Sequence, residues 1–187
     1  WEMLITFLIS QRKSIPAIRT AVERLARCCG EPLNAEDDEV FLFPTPQQLC
    51  GLSGAQLMGC GLGYRTRYIQ NAAAQASSGT LDLSALAALP DDALFSRLLE
   101  LDGVGKKVAN CVCLFGLHHI DAFPVDTWIQ KILMEHYFDE KKYRRIPKSQ
   151  LFDRIIEDSF GCYPGYAGVM QQYIFNYERN VIGKNQA

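Results

Sequence analysis

The chain has 187 residues, 48% of them hydrophobic, enough for one large domain or two small lobes sharing a core. Charged residues make up 21% and the formal net charge is -2, so no overall basic field advertises nucleic acid, and such a partner must be held by a local patch. The seven cysteines (Cys28, Cys29, Cys50, Cys60, Cys111, Cys113 and Cys162) lack paired C-x-x-C spacing, which argues against a disulfide framework or structural zinc and for an intracellular, reducing compartment, the cytoplasm or a bacterial nucleoid.

The opening WEMLITFLIS is apolar but too short to cross a bilayer, carries Glu2, and lacks a basic leader or a small-residue cleavage site. It reads as a core helix from Trp1 to Ser10. Because the chain enters that helix at once, a preceding segment is expected. A second helix should run from Ser14, whose hydroxyl is placed to cap it with Pro16 in the first turn, to Gly30. The stretch to Phe43 contains NAEDDEV and reads as a solvated loop. Thr45-Pro46 and Ser53-Gly-Ala-Gln56 both read as helix starts, the latter as a capping box. In GLGYRTRYIQNAAAQASSG, the residues Ile69, Ala72, Ala73 and Ala76 fall at helical spacing, and their small size implies close packing. Helical spacing continues through the PVDTWIQKILMEHYF stretch and from Lys148 to about Ile182, while strict alternation is nearly absent. The fold class expected is all-α, a single helical core over 1–187.

LDGVGKKVANCVC, at Leu101–Cys113, carries the most specific local pattern. Phe95, Leu98 and Leu99, then Gly103-Val104-Gly105, then Val108, Ala109 and Val112 predict helix, tight turn and helix over about 92–117. The amides at the start of the second helix offer a seat for phosphate. The plainer alternative is an αα-hairpin of the core. At about 100° per residue, Lys106 falls near Asn110 in the polar sector, whereas Lys107 falls between Cys111 and Leu114 at the margin of the apolar face. Lys106 suits a solvated or phosphate-facing role. Desolvation favours the neutral form that an amine nucleophile needs, which makes Lys107 the nucleophile candidate; a lysine lying along the surface with its head in water fits the same geometry. In FPVDTW, Asp126 sits at a helix start, where the dipole stabilises an acid without any chemistry.

Together, LDGVGKKVANCVCL and the following PVD resemble the helix-hairpin-helix-Gly/Pro-Asp superfamily of DNA glycosylases, and further stretches resemble its 8-oxoguanine DNA glycosylase branch. The resemblance implies a two-lobed helical glycosylase fold with DNA in the cleft. It implies a bifunctional glycosylase and apurinic/apyrimidinic lyase that excises 8-oxoguanine from duplex DNA by base flipping, Schiff-base formation and β-elimination. Lys107 falls on the catalytic amine, Asp126 on the essential carboxylate, and Cys111 on the cysteine that packs on the extruded base. GLGYRTRYI implies a wedge role for Tyr64 and an opposite-base contact for Arg65. GYAGVMQQYIF implies that Gln171 reads the edge of the lesion and that Phe175 stacks on it. The hairpin, with Gly103, Gly105 and Lys106, falls on the strand-binding element. The resemblance also implies a structural monovalent cation held by the carbonyls of Leu99, Leu101 and Val104, with no cofactor required and no iron–sulfur cluster. The partner implied is double-stranded DNA containing an oxidised base, met by a monomer away from membranes.

Three departures restrict this transfer. The asparagine-rich turn of the branch is SQRKSIPAI here, with Arg12 and Ala17 at the key places, so strict preference for cytosine opposite the lesion is not implied. Trp128 stands where the branch has a phosphate-contacting histidine, and the N-terminal β-rich domain of the family has no counterpart in the sequence. Two rivals remain open. One is an endonuclease III-like glycosylase for oxidised pyrimidines, against which the missing four-cysteine loop counts. The other is a non-catalytic helix-hairpin-helix module, which needs none of Asp126, Gln171 and Phe175.

Overall fold

A computed structural model describes residues 1–34 and 37–182, and the chain divides into two compact units, Trp1–Val108 and Ala109–Ala187. The first unit begins with α1 (Glu2–Ser10) and α2 (Ile15–Cys29). Leu4, Ile5, Leu8 and Ile9 of α1 are all buried, so the apolar opening is a core helix as its composition predicts. Each fully buried aliphatic side chain of this kind contributes about 1.5–3 kcal/mol. Ser14 does stand at the start of α2, with Pro16 in its first turn, but its hydroxyl makes no capping bond.

The expected loop before Phe43 is in part a small antiparallel ribbon, β1 (Pro32–Asn34) and β2 (Asp37–Phe41), in which Pro32 pairs with Phe41 and Asn34 with Asp37. Ala35 and Glu36 of the acidic stretch lie outside the described residues. Main-chain pairing, extended by the Leu42 amide donating to the Glu31 carbonyl at 2.7 Å, makes the ribbon without any apolar alternation. Capping boxes then start both α3 (Pro46–Cys50), from Thr45 and Gln48, and α4 (Gly54–Gly59), from Ser53 and Gln56. A 3-10 turn over Gly63–Arg65 leads into α5 (Thr66–Ser77). Ile69, Ala72 and Ala73 are buried in α5, and the alanines let it pack against α3 and α1. Next come α6 (Leu83–Ala87) and α7 (Asp91–Leu99), the latter anchored by Leu94 and Leu98. Leu99, the last residue of α7, is 38% exposed.

α8 (Lys106–Cys111) crosses the boundary between units and continues as a π-helical stretch over Val112–Gly116. The second unit contains α9 (Thr127–His136), α10 (Glu140–Tyr143), α11 (Leu151–Phe160) and α12 (Ala167–Tyr177), followed by a π-helical turn over Glu178–Ile182. Its core gathers Phe123, Ile129, Ile132, Leu133, Tyr143, Ile155 and Phe160. The helix expected from Lys148 onward breaks after Phe160, where Pro164 and a left-handed Gly165 (φ 80°) interrupt it. Asp121 replaces the lost helical bonding by accepting from the Gly165 amide at 2.7 Å and the Ala167 amide at 3.4 Å. Gly168 lets α12 approach the preceding loop, since a Cβ there would lie 2.4 Å from the Ala122 carbonyl. Among the described residues, no helix is long and apolar enough to cross a membrane.

Candidate functional site

In the first unit, α7, the turn over 100–105 and the start of α8 form the hairpin predicted from the glycine pattern. The Val104 amide donates to the Leu101 carbonyl at 3.0 Å, and both side chains are buried, which pins the turn to the core. Gly103 takes φ +81°, and a Cβ on it would lie 2.4 Å from the Tyr68 ring, so this glycine serves both dihedral and close approach. Gly105 does neither: it lies outside the left-handed region and its Cβ would meet open space. Leu99 ends α7, and the backbone carbonyls of Leu99, Leu101 and Val104 are hard oxygens of the kind a monovalent cation takes, that of Leu101 already accepting the Val104 amide.

The two lysines that begin α8 differ as their helical angles require. Lys106 is exposed, whereas Lys107 is half-buried, with Nζ 5.1 Å from the centroid of the Phe7 ring on α1. That aromatic contact fixes the direction of the Lys107 side chain.

Tyr64 projects from the 3-10 turn and is 53% exposed. Arg65 turns inward and is 6% exposed, its guanidinium 4.3 Å from the Tyr64 ring centroid. Its Nε donates to the Gln11 carbonyl at 3.0 Å, its Nη2 donates to the same oxygen, and its Nη1 donates to the Leu62 carbonyl at 3.2 Å. Arg65 is thus an internal brace as well as the residue next to the wedge candidate. Arg12 is exposed at the adjoining turn, with a left-handed φ of 52°. Gln11, which the sequence did not single out, donates from Nε2 to the Gly103 carbonyl at 3.0 Å. Asp102 of the hairpin accepts from Asn71 Nδ2 and lies 4.0 Å from Arg67 Nη2, both on α5. Amides and carboxylates whose partners are distant in sequence give no local signal.

In the second unit, Asp126 is the N-cap of α9 and its Oδ1 accepts from the Ile129 amide at 2.8 Å. That oxygen is therefore occupied by the helix cap. Gln171 is 3% exposed and donates from Nε2 to the Pro124 carbonyl at 3.2 Å, while Gln172 Nε2 donates to Gln171 Oε1. This ties Gln171 on α12 to the strap that carries Asp126. Asn110 Oδ1 accepts from the Phe123 amide at 3.2 Å and brings the same strap to α8, next to the buried Cys111. Phe175 is half-buried against the core of the unit, with the Arg179 guanidinium 6.0 Å from its ring centroid. Trp128, in the first turn of α9, is 40% exposed, and Lys131 Nζ lies 5.8 Å from its ring centroid. Asp126 and Gln171 are therefore linked through the strap over 121–126, to which Asn110 beside Cys111 also bonds, as Gly103, Tyr64 and Arg65 are linked in the first unit through Gln11.

This arrangement has known counterparts. The chain is 28% identical to a probable N-glycosylase/DNA lyase of Methanothermobacter thermautotrophicus, over 96% of this chain and 61% of that protein. It is 30% identical to the N-glycosylase/DNA lyase of Saccharomyces cerevisiae, over 95% of this chain and 54% of that one. The crystal structure of a Clostridium acetobutylicum 8-oxoguanine glycosylase/lyase, in complex with DNA containing cytosine opposite 8-oxoguanine, superposes with a TM-score of 0.83 at 27% identity, covering 100% of this chain and 60% of that one. The chain thus spans between about half and three fifths of the length of the relatives it matches. The sequence profile of HhH-GPD base excision DNA repair proteins matches residues 5–157, and with the hairpin and the capped aspartate in place the chain belongs to the HhH-GPD superfamily.

Proposed function

We propose that the protein is a bifunctional DNA glycosylase and apurinic/apyrimidinic lyase that removes 8-oxoguanine from duplex DNA, acting as a monomer in a reducing compartment. The observation that carries this reading is the divided environment of the lysine pair: Lys106 is exposed, while Lys107 is half-buried and held over Phe7, as a nucleophile and a phosphate contact require of neighbours. A non-catalytic module has no use for that division.

A stacked base hides its glycosidic bond, so the target nucleotide is extruded, at a cost of a few kcal/mol that the wedge and pocket offset. Tyr64 fills the gap left in the duplex. Arg12 lines the side of the unpaired base while Arg65, expected to do the same, braces the Tyr64 turn from within, and the hairpin backbone at Gly103 and Gly105, with Lys106 and Trp128, holds the strand. Phe175 and Cys111 sandwich the extruded base and Gln171 hydrogen-bonds its edge, exchanging its bond to the Pro124 carbonyl for one to the base. Asp126, at its helix cap, stabilises positive charge growing on the deoxyribose as the bond breaks. The Lys107 amine attacks C1′, and the resulting Schiff base permits β-elimination on the 3′ side. A monovalent cation on the Leu99, Leu101 and Val104 carbonyls would add positive charge where the hairpin meets phosphate.

The test incubates the chain with duplexes carrying 8-oxoguanine opposite each of the four bases, with and without borohydride. A trapped covalent adduct is expected from the wild type and none from Lys107→Gln, which still binds the duplex. An undiminished adduct in that variant removes Lys107 from the chemistry, and excision of oxidised pyrimidines in preference to 8-oxoguanine moves the protein to the other branch.

A further inference from the structure

Three polymer segments far apart in sequence meet at one residue. The Gln11 side chain donates to the Gly103 carbonyl of the hairpin at 3.0 Å, while the Gln11 carbonyl accepts both Nε and Nη2 of Arg65. Arg65 is 6% exposed and its guanidinium lies 4.3 Å from the ring centroid of Tyr64. A buried guanidinium that lost its acceptor would carry the desolvation cost of an unpaired charge, so Arg65 follows the Gln11 carbonyl wherever it goes. That carbonyl precedes Arg12, which sits at a left-handed φ of 52°, a dihedral that bulky side chains adopt only when their surroundings impose it. The hydrogen bond from the Gln11 side chain to the Gly103 carbonyl is one such restraint. Gln11 therefore sets the position of the hairpin turn and of the Tyr64 turn at once.

We propose that Gln11 is a positioning residue that couples the Tyr64 turn to the Gly103–Lys107 segment, so that insertion of the tyrosine and presentation of the amine occur together. Gln11 acts through Arg65 on Tyr64 and through the Gly103 carbonyl on the hairpin. This rests on the lyase reading given above. Without that hydrogen bond, the two turns move independently, and a wedge that has entered the duplex no longer registers the sugar against Lys107.

The test uses the full chain with Gln11→Met, which keeps length but removes the donor, Gln11→Lys, which restores an N–H donor of similar reach, and Tyr64→Ala. Two quantities are read on an 8-oxoguanine duplex: the single-turnover rate of borohydride-trappable adduct, and the fluorescence of a 2-aminopurine beside the lesion, which reports opening of the stack. Gln11→Met is expected to lower both together, by roughly two- to tenfold as loss of one hydrogen bond gives, and Gln11→Lys to restore both. In the Tyr64→Ala background the same Gln11→Met change should have little further effect on the adduct rate, because coupled residues are not additive. Equal slowing in both backgrounds, or a change in one readout with the other at the wild-type level, overturns the proposal. Where Gln11→Met does not fold, Gln11→Glu, of the same shape with an acceptor in place of the donor, takes its place. Amide hydrogen exchange over residues 62–66 and 102–105 of the free protein is measured in parallel. If the wild type forms no adduct on any duplex, the lyase reading fails by itself, and exchange decides the coupling: faster exchange in both segments of Gln11→Met supports it, and wild-type exchange in either ends it.

Discussion

Replacing Gly103 by alanine tests the hairpin at its tightest point. The residue sits at φ +81°, and an added Cβ would lie 2.4 Å from Cδ2 and 2.5 Å from Cγ of Tyr68. Two costs follow. Holding an L-residue in the left-handed region costs about 1–2 kcal/mol, and forcing a ring out of a packed position costs about 1–3 kcal/mol. Their sum, about 2–5 kcal/mol, is a large share of the roughly 5–15 kcal/mol that holds a domain folded. For a chain of this length each kcal/mol lowers Tm by about 2–4 °C, so Gly103→Ala should melt about 4–20 °C below the wild type. The control is Gly105→Ala, two residues on, where the backbone is outside the left-handed region and nothing lies within 4 Å of the added Cβ. Its stability should stay within about 0.5 kcal/mol of wild type. Thermal melts and urea titrations of both variants, followed by circular dichroism, measure the difference. Because the Tyr68 ring also meets Tyr64 edge to face at 6.0 Å, the Gly103 variant should lose adduct formation even below its melting temperature. Equal stability of the two alanine variants would refute the account of this turn.

Asp126→Asn keeps a good N-cap for α9, since asparagine accepts from the same amide, but removes the charge. Stability should change by less than about 0.5 kcal/mol, while single-turnover base release should slow by roughly 100- to 1000-fold, the range for loss of one preorganised electrostatic stabiliser. Wild-type turnover would leave Asp126 with its capping role alone. In the second unit, the hydrogen bond from Lys142 holds the Asp158 carboxyl below its ordinary value of 3.8, with Arg154 adding to the effect; the ion-pair distances are 2.9 Å and 2.8 Å. A depressed folded value means that this link stabilises fully above the ordinary carboxylate value and is lost as pH falls through the folded one. Melting temperature measured from neutral pH down into that acid range should therefore fall less steeply for Asp158→Asn than for the wild type. Equal acid slopes would show that the pair has no share in acid stability.

Much of the candidate site is legible in short segments because its chemistry is local. Helical angle alone separates Lys106 from Lys107, and the structure leaves the first exposed and the second half-buried against Phe7. Asp126 reads as a helix-start acid and is the N-cap of α9. The glycine pattern predicts a hairpin, but it does not distinguish Gly103, which needs to be glycine, from Gly105, which has room for a side chain. Arg65 looks from its place beside Tyr64 like a residue that faces outward, yet it is buried on main-chain carbonyls. Main-chain acceptors carry no sequence signature, so partners of this kind are invisible until the chain is folded.

Local physics, encoded residue by residue, determined the helical class, the capping boxes at Thr45 and Ser53, the hairpin and the unlike surroundings of its two lysines, because periodicity, capping and dihedral preference act over a few neighbours. The ribbon at Pro32–Phe41, the break at Pro164-Gly165 and the meeting of Gln11 with Gly103 and Arg65 were decided only by the tertiary structure. The break and the Gln11 contacts depend on backbone groups finding partners tens of residues away, and the ribbon on main-chain pairing within its own segment, and every residue type offers the same backbone groups.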